Sequence, residues 1–322
     1  MKSRCAILAP VAIVILAACV LLFAPARAFA HDEHGVIFNA TSGATIYYEV
    51  FGSGDGTPLF VANGGPGIDH KYLHVSDAWD TLAHNRKIVM WDQRGTGQSG
   101  PLKLGETCTL ADQINDLDAL RAHLGYERID LLGHSYGGFL AMAYAARFPQ
   151  HIERLVTLGS PAPKWSDTIL LFHEVFPDVT AQEEANAFTA DLNEKDSAAA
   201  LEANRALNES MLFYAPARRD EFARKMANDK PYYNINRLVN EDLRRFDLNP
   251  EIAKYRFPVL IGCGRRDLNV APLVAYNTHK AIPGSLFIVF SKSGHMPFFE
   301  EPDKFVAVMN AFLSGAPVPD IS

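Results

Sequence analysis

The stretch Ile129–Gly137, IDLLGHSYG, decides the fold predicted for this chain. Its first four residues have the short, largely apolar pattern of a buried strand, and a helical pattern begins at Gly138. Between them, residues 133–137 match Gly-x-Ser-x-Gly. A strand, a sharp turn and a helix in this order hold a serine at the tip of a strained turn, where flanking glycines let neighbouring backbone approach. We therefore predict that Ser135 is a nucleophile; a plain strand-to-helix turn with an N-capping serine is the alternative.

Short apolar runs alternate with helical patterns along much of the chain. The runs are rich in β-branched and aromatic residues, and several are apolar on both faces, as buried parallel strands are. Besides Ile129–Leu132, the predicted strands are Ala44–Phe51, Pro58–Ala62, Lys87–Trp91, Ile152–Leu158, Pro258–Ile261 and Leu286–Phe290. The predicted helices are Leu110–Leu124, Gly138–Phe148, Pro272–Ala281 and Glu301–Leu313. This alternation predicts an α/β fold with a mostly parallel sheet and helices on both faces.

The interval 162–257 breaks this alternation. It lacks a convincing strand pattern and consists of charged, alanine-rich helical sequence before the chain returns to a strand at Pro258. Such an interval is far too long for one crossover connection, although a set of ordinary crossover helices is the alternative. We therefore predict a core of residues 31–161 and 258–322, with residues 162–257 forming a helical cap over the carboxyl ends of the strands.

The first 30 residues have the pattern of a secretory signal peptide. Lys2 and Arg4 form a basic start, residues 6–23 are apolar, and Ala28-Phe29-Ala30 offers small residues for cleavage. We therefore expect an exported protein, periplasmic or secreted. Two alternatives stay open: an uncleaved membrane anchor through residues 6–23, since this run is longer than the usual signal core, and a lipoprotein modified at Cys19.

Composition argues against a nucleic-acid partner, a metal site and a cofactor. The 322 residues are 48% hydrophobic, carry a formal charge of −7 and contain no block rich in lysine and arginine, so we expect no nucleic-acid partner. Without the leader, Cys108 and Cys263 remain. Export would permit a disulfide between them, but the apolar run around Cys263 favours a small buried side chain. No Cys-x-x-Cys or histidine-rich spacing indicates a metal, and we expect no cofactor.

A serine hydroxyl needs a base to take its proton before it is a good nucleophile. On a strand–serine–helix turn of this kind, the acid and then the histidine follow the serine along the chain. Two histidines follow Asp267: His279, within a helical pattern, and His295, on the loop after the last predicted strand. We predict His295 as the general base and Asp267 as the carboxylate that fixes its tautomer. Asp247 is the next candidate acid but falls within the cap, and a turn or capping role is the alternative for Asp267.

The oxyanion formed during attack needs two N–H donors. One is expected from Tyr136, the residue after the nucleophile, and the other from the loop after the predicted strand Pro58–Ala62. That loop has the sequence Asn63-Gly64-Gly65-Pro66-Gly67, and we predict Gly65 as the donor. The alternative is that this glycine run is only a tight turn.

Three motifs together resemble the proline iminopeptidase group of α/β hydrolases, peptidase family S33. They are Gly-Gly-Pro-Gly at 64–67, Asp-Gln-Arg-Gly-Thr-Gly-Gln-Ser at 92–99 and the serine turn at 133–137. The resemblance implies the α/β-hydrolase fold, with an eight-stranded, mostly parallel sheet and an inserted helical cap. It also implies a serine hydrolase that cleaves a small peptide or amide with a free N-terminal residue, often proline, through an acyl-enzyme. We expect the 92–99 segment to support the loop beside the site rather than to take part in chemistry.

Two motifs depart from that group. Asn63 stands where members usually have histidine, and Gly-His-Ser-Tyr-Gly replaces the frequent Gly-Gly-Ser-Trp-Gly and is shared with esterases. The group places cap glutamates around the amino group of the substrate; Glu209 and Glu241 are the candidates here, and solvated helix faces are their alternative. A carboxylester or lactone is therefore the second substrate class. A non-catalytic ligand receptor on the same fold is the alternative of another class, and a lyase is the third possibility.

The leader hypothesis predicts the mass of the mature protein. Expressed with its own leader in a secreting bacterial host, the chain should begin at His31 after removal of residues 1–30. Intact-mass spectrometry of the exported protein measures this directly. A chain that keeps residues 6–23, or one that begins at a lipid-modified Cys19, would contradict cleavage after Ala30.

Overall fold

The computed structural model describes residues 33–38, 43–178, 181–182, 185, 211–229 and 231–319. The predicted leader, with residues 6–23 and Cys19, lies outside the described residues, and so does Glu209. Within the described ranges, no helix combines the length and the apolar character needed to cross a membrane.

One eight-stranded sheet forms the centre of the molecule, in the order β1-β2-β4-β3-β5-β6-β7-β8. Strand β2 pairs antiparallel with β1 and with β4, and the remaining pairs are parallel. The seven strands predicted from sequence are present, but β1 was not among them. The strands are β1 Glu33–Phe38, β2 Thr45–Phe51, β3 Leu59–Ala62, β4 Ile88–Trp91, β5 Ile129–His134, β6 Ile152–Leu158, β7 Val259–Gly264 and β8 Leu286–Phe290.

The helices follow the strands as the sequence pattern indicates. The four predicted helices are present, each within two residues of its predicted ends. Numbered along the described residues, the helices are α1 Ala78–Ala83, α2 Leu110–His123, α3 Tyr136–Arg147, α4 Leu171–Val175, α5 Pro216–Lys225, α6 Tyr233–Leu243, α7 Asn249–Ile252, α8 Pro272–Ala281, α9 Pro297–Glu300 and α10 Pro302–Ser314. Short 3-10 helices add His70–Val75, Gly97–Ser99, Pro149–His151 and Trp165–Asp167.

Both faces of the sheet are covered, because successive side chains of each strand point to opposite sides. In β3, Phe60 and Ala62 join the apolar cluster that includes α2, α3 and a residue of α8. Leu59 and Val61 join the opposite cluster, which includes α1 and α10. The predicted doubly covered, mostly parallel sheet is therefore confirmed.

The described residues between β6 and β7 are largely helical, with one isolated bridge between Lys164 and Asp247. Helix α6 buries Ile235, Val239 and Leu243 against the core. At its start, the Tyr232 N–H donates to the Gly67 carbonyl over 2.7 Å, and Asn236 Nδ2 donates to Pro66 O over 2.8 Å. This segment thus lies against the loop that follows β3. The exact limits of the cap, 162–257, stay a prediction.

The two cysteines of the core are free thiols, and both are buried. Burial raises the pKa of Cys108 and of Cys263 to about 12. At pH 8, only about one thiol in ten thousand would then be the reactive thiolate. The structure therefore agrees with the small buried side chain favoured for Cys263 and contradicts a disulfide to Cys108.

Thiol labelling tests this packing. The folded protein should react with a thiol reagent at pH 8 no faster than it unfolds, because neither sulfur is exposed. In denaturant without reductant, two thiols should react per mature chain, and four if the leader with Cys5 and Cys19 is retained. A mature chain that shows no thiol in denaturant would contain the disulfide that the structure excludes.

Candidate active site

Ser135 stands at the turn between β5 and α3 in a strained backbone conformation, with φ 55° and ψ −128°. Among the described residues other than glycine, it alone has a positive φ. The turn is tight: a Cβ at Gly133 would overlap the Gly137 carbonyl, and one at Gly137 would overlap the Ala62 carbonyl. The strained serine turn predicted from Gly-x-Ser-x-Gly is thus present, and it holds Ser135 at the carboxyl end of a central strand.

Asp267 and His295 form a buried pair. Nδ1 of His295 lies 2.7 Å from Oδ2 of Asp267, and the two residues are 3% and 0% exposed. Asp267 follows β7, and its other oxygen accepts the Val270 N–H over 2.8 Å. His295 lies on the loop after β8. Because the Asp267 carboxylate can only accept, it fixes the proton of His295 on Nδ1 and leaves Nε2 with its lone pair.

The serine turn and this pair meet at β6. The Ser135 N–H donates to the Leu158 carbonyl over 2.9 Å. The next residue, Gly159, lies under the pair: a Cβ there would be 3.1 Å from Nδ1 of His295 and 3.2 Å from Oδ2 of Asp267. The structure therefore brings the three predicted triad residues to one edge of the sheet.

Asn269 occupies the free nitrogen of the histidine. Its Nδ2 lies 3.2 Å from Nε2 of His295, so Nε2 is bonded to this amide rather than to the Ser135 hydroxyl. The contact supports the same tautomer, since an amide N–H needs an accepting Nε2. Catalytic hydrogen bonds are often open in enzymes without substrate. Sequence analysis did not single out Asn269, although it stands only two residues after the predicted acid.

The loop after β3 contains the donor predicted for the oxyanion, and its neighbour Gly64 lies against the Ser135 side chain. The Gly64 N–H donates to Tyr72 Oη over 2.7 Å, and it is therefore engaged. Gly65, next in the chain, has φ +119°, a value that side chains rarely adopt, and it is partly exposed. On the other side, Tyr136 is the first residue of α3, where the backbone N–H has no partner within the helix. These two N–H groups are the ones predicted to hold an oxyanion.

His134 links Tyr72 to the backbone of His295 through hydrogen bonds. Tyr72 Oη lies 2.7 Å from Nδ1 of His134, whose Nε2 lies 2.9 Å from the His295 carbonyl. The hydrogen bonds therefore run from Gly64 N–H to Tyr72, from Tyr72 to His134, and from His134 to the His295 backbone. Burial, with a smaller effect of His295, lowers the pKa of His134 to about 3, so the ring stays neutral at physiological pH. Sequence analysis did not identify Tyr72 or His134 as site residues.

Glu300 fastens the cap to the histidine loop. One carboxylate oxygen accepts the N–H groups of Tyr214 and Ala215 over 2.8 and 3.1 Å, and the other accepts Gly294 N–H over 2.6 Å. In addition, the His295 N–H donates to the Leu212 carbonyl over 2.6 Å. Burial raises the pKa of Glu300, while the three backbone donors lower it. The cap segment 211–215 therefore binds the His295 backbone directly and the Gly294 backbone through Glu300.

Of the two cap glutamates predicted to contact substrate, the structure describes only Glu241, and it does not bring that residue to the site. Glu241 is on an exposed face of α6, where its carboxylate lies 3.8 Å from Nη1 of Arg237 and is 60% exposed. Such a solvated pair on a helix surface is the alternative stated for it, and the structure gives no support to a role with substrate. Glu209 lies outside the described residues.

The 92–99 segment supports the loops around the site. Arg94 is buried and donates to both oxygens of Asp116, over 2.6 and 2.7 Å. Gln93 Nε2 donates to the Asn63 carbonyl over 2.9 Å. Asn63 Nδ2 in turn donates to the Ile68 carbonyl over 2.6 Å, across the Gly-Gly-Pro-Gly loop. The segment and Asn63 thus hold the shape of the loop that carries Gly65.

A family described as the alpha/beta hydrolase fold matches residues 57–302. The chain belongs to this family. Among its relatives, a proline iminopeptidase from Lactobacillus crispatus is 31% identical over 287 residues, 84% of this α/β hydrolase and 95% of the relative. A proline iminopeptidase from Clostridium botulinum is 31% identical over 283 residues, 83% and 94% of the two chains.

Solved structures agree on the fold of this α/β hydrolase. A thermophilic esterase from Thermogutta terrifontis superposes with a TM-score of 0.69 at 20% identity, over 88% of this chain and 98% of the esterase. An enol-lactonase from Burkholderia xenovorans superposes with a TM-score of 0.65 at 21% identity, over 84% and 97%. The resemblance to the proline iminopeptidase group and the α/β-hydrolase fold class, both inferred from the sequence, are confirmed.

Replacing Glu300 tests whether the cap contact positions His295. Glu300→Gln puts an NH2 group opposite backbone donors, so we expect a loss of about 1–3 kcal/mol in the free energy of unfolding. We also expect hydrolytic kcat to fall about tenfold, because the histidine loop loses its support. Denaturant unfolding and steady-state kinetics on a p-nitrophenyl ester measure the two effects.

The control is Glu251→Gln, which changes an exposed glutamate paired with Lys254. It should leave both quantities unchanged. If Glu300→Gln lowers stability but kcat stays at the wild-type value, Glu300 is structural only and does not position the histidine.

Proposed function

We propose that this α/β hydrolase is a serine hydrolase that cleaves an amide or ester bond through an acyl-enzyme. Ser135 is the nucleophile, His295 the general base and Asp267 its orienting carboxylate. The observation that carries the proposal is the 2.7 Å contact between His295 and Asp267 at the sheet edge where Ser135 adopts its strained turn. A buried carboxylate that fixes a histidine beside a turn-held serine is the arrangement that activates a hydroxyl.

The reaction begins when the Ser135 hydroxyl replaces the Asn269 amide at Nε2 of His295. Nε2 takes the hydroxyl proton as the oxygen attacks the substrate carbonyl, and Asp267 stabilises the imidazolium. The N–H groups of Tyr136 and Gly65 bind the oxyanion, a contact worth about 3–4 kcal/mol of barrier height per donor. His295 then protonates the leaving group, and a water molecule activated by the same nitrogen releases the acid.

The preferred substrate is a small peptide or amide with a free N-terminal residue, often proline. The support is sequence similarity: relatives named proline iminopeptidase are 31% identical over most of their length. A carboxylester or lactone is the second candidate. It is favoured by the Gly-His-Ser-Tyr-Gly turn, which esterases share, and it is compatible with the similar folds of the esterase and the enol-lactonase described above.

We also propose that the enzyme acts outside the cytoplasm, periplasmic or secreted, on the basis of the basic and apolar pattern of residues 1–30. Membrane anchoring through residues 6–23 or lipidation at Cys19 are the alternatives that the mature mass separates. In each case the partner of the catalytic domain is a small-molecule or short-peptide substrate.

A fluorophosphonate probe and a substrate panel test the proposal. The probe should label the wild-type protein at Ser135, and Ser135→Ala should lose both labelling and at least about 10⁴-fold of kcat. Ser166→Ala, at an exposed serine outside the site, is the matched control; its labelling and its kcat should equal those of the wild-type protein. Absence of labelling in wild type would point to the receptor hypothesis.

The panel compares proline p-nitroanilide with p-nitrophenyl esters of short acids. An aminopeptidase should turn over the anilide and should lose that activity when the proline nitrogen is acylated. Turnover of the esters alone would refute the peptidase proposal and leave the esterase one in place.

A further inference from the structure

Three polar side chains that the hydrolase mechanism does not use converge between β2 and the 3-10 helix His70–Val75. Oε2 of Glu49 lies 3.3 Å from Nε2 of His70 and 3.1 Å from Nε2 of His74. One carboxylate oxygen of Glu49 and one ring nitrogen of each histidine all lie within 4.8 Å of one another. Glu49 and His70 are buried, whereas the His74 side chain is 31% exposed, so the cluster can be reached from solvent.

The buried histidine of this cluster is already oriented. Nδ1 of His70 lies 2.6 Å from Oδ1 of Asp92, which also accepts the His70 backbone N–H over 3.1 Å. Because a carboxylate only accepts, Nδ1 carries the proton, and Nε2 is turned toward Glu49. That Nε2 is buried and makes no hydrogen bond within the described residues. A carboxylate behind the far nitrogen of a histidine is the usual support of a metal-binding imidazole.

We propose that Glu49, His70 and His74 form a Zn²⁺ site, with water as a fourth ligand on the exposed side. Two histidines and one carboxylate, each deprotonated toward the ion, are a frequent zinc ligand set. Ligand atoms about 2.05 Å from one ion at tetrahedral angles are about 3.3 Å apart. The two Glu49–histidine distances, 3.3 and 3.1 Å, have this value.

The missing hydrogen bond at His70 fits the same geometry. In a tetrahedral site, the lone pair of each ligand atom points at the ion. The line from that atom to a neighbouring ligand atom therefore makes an angle of about 35° with its lone pair. A carboxylate oxygen that accepts a hydrogen bond from an N–H group would instead lie close to the direction of the N–H bond. The rival occupant is a proton, which would make His70 an imidazolium between Asp92 and Glu49. His74 is the exposed member of the set, and its Nε2 forms a hydrogen bond with Oε2 of Glu49 over 3.1 Å that an ion would replace.

The site would act on the catalytic machinery through one residue. Tyr72 lies between the two histidines on the same 3-10 helix, and its hydroxyl joins Gly64 N–H to His134. An ion held by His70 and His74 would fix this helix at both ends. It would therefore hold the oxyanion loop and the serine turn in register, without touching substrate.

Zinc binding to the purified, tag-free, metal-stripped protein tests the proposal. Titration against a chromophoric zinc chelator should show one Zn²⁺ per chain, and excess Zn²⁺ should raise the Tm by a few degrees. His74→Gln changes a surface side chain and should weaken binding about tenfold or more and abolish the Tm shift. Glu49→Gln, which keeps an acceptor for the Tyr47 hydroxyl, should weaken it similarly.

Two controls separate this site from other histidines. His151→Gln removes a partly exposed histidine that faces a single carboxylate, Asp118, and should bind zinc like wild type. His295→Gln should also retain binding, which excludes zinc at the proposed catalytic base. Equal affinity in wild type and His74→Gln, or loss of binding in His295→Gln alone, would overturn the proposal and leave the cluster as an ion pair around a protonated His70. Neither result bears on the hydrolase proposal, which the fluorophosphonate label tests separately.

Discussion

The strained backbone of Ser135 is the constraint on which the rest of the site depends. A residue held at positive φ costs about 1–3 kcal/mol and persists only where its surroundings determine it. Here β5 lies between two parallel neighbours, β3 and β6, and α3 begins immediately after the serine. Gly133 and Gly137 permit the close approach of backbone that this turn requires. The sheet thus offsets the cost of presenting the hydroxyl at its edge.

Around this turn, buried polar groups support the site through hydrogen bonds to one another. The chain of hydrogen bonds from Gly64 through Tyr72 and His134 reaches the backbone of His295, so it links the loop after β3, the serine turn and the loop that carries His295. In the proposed mechanism its central ring must stay uncharged, since a cation at His134 would be buried and would repel an imidazolium at His295, whose ring centroid lies 4.8 Å away. The low pKa of His134, which burial causes, therefore suits the proposed mechanism.

Sequence predicted the features that leave a local pattern. Buried strands are continuous apolar runs, the serine turn has fixed glycines, and the order of serine, acid and histidine follows from topology. β1 was missed because Glu33–Phe38 mixes charged and apolar residues at the edge of the sheet. Tyr72, Asn269 and Glu300 were missed because their partners are distant in sequence or depend on loop geometry. The Glu49, His70 and His74 cluster combines a strand with a helix twenty residues later, a spacing that no short motif describes.

The choice between peptide and ester substrates depends on whether a carboxylate lies where the amino group of a peptide would bind. An ammonium group covered by the cap needs a carboxylate, because an unpaired buried charge is costly. Glu241 faces solvent and does not supply one, so the peptide hypothesis loses one of its two predicted cap acids. The described cap segment 211–215 contacts the region around His295 through backbone atoms, the Glu300 carboxylate and aromatic rings, with the ring centroids of Phe213 and Phe299 6.2 Å apart. Because these groups bind one another within the protein, the contacts favour neither substrate. Glu209, the second acid predicted for this role, stands three residues before Leu212 in sequence, and the Leu212 carbonyl accepts the His295 N–H. Recognition of a free amino group at this site needs a carboxylate from Glu209 or from another acid of the chain.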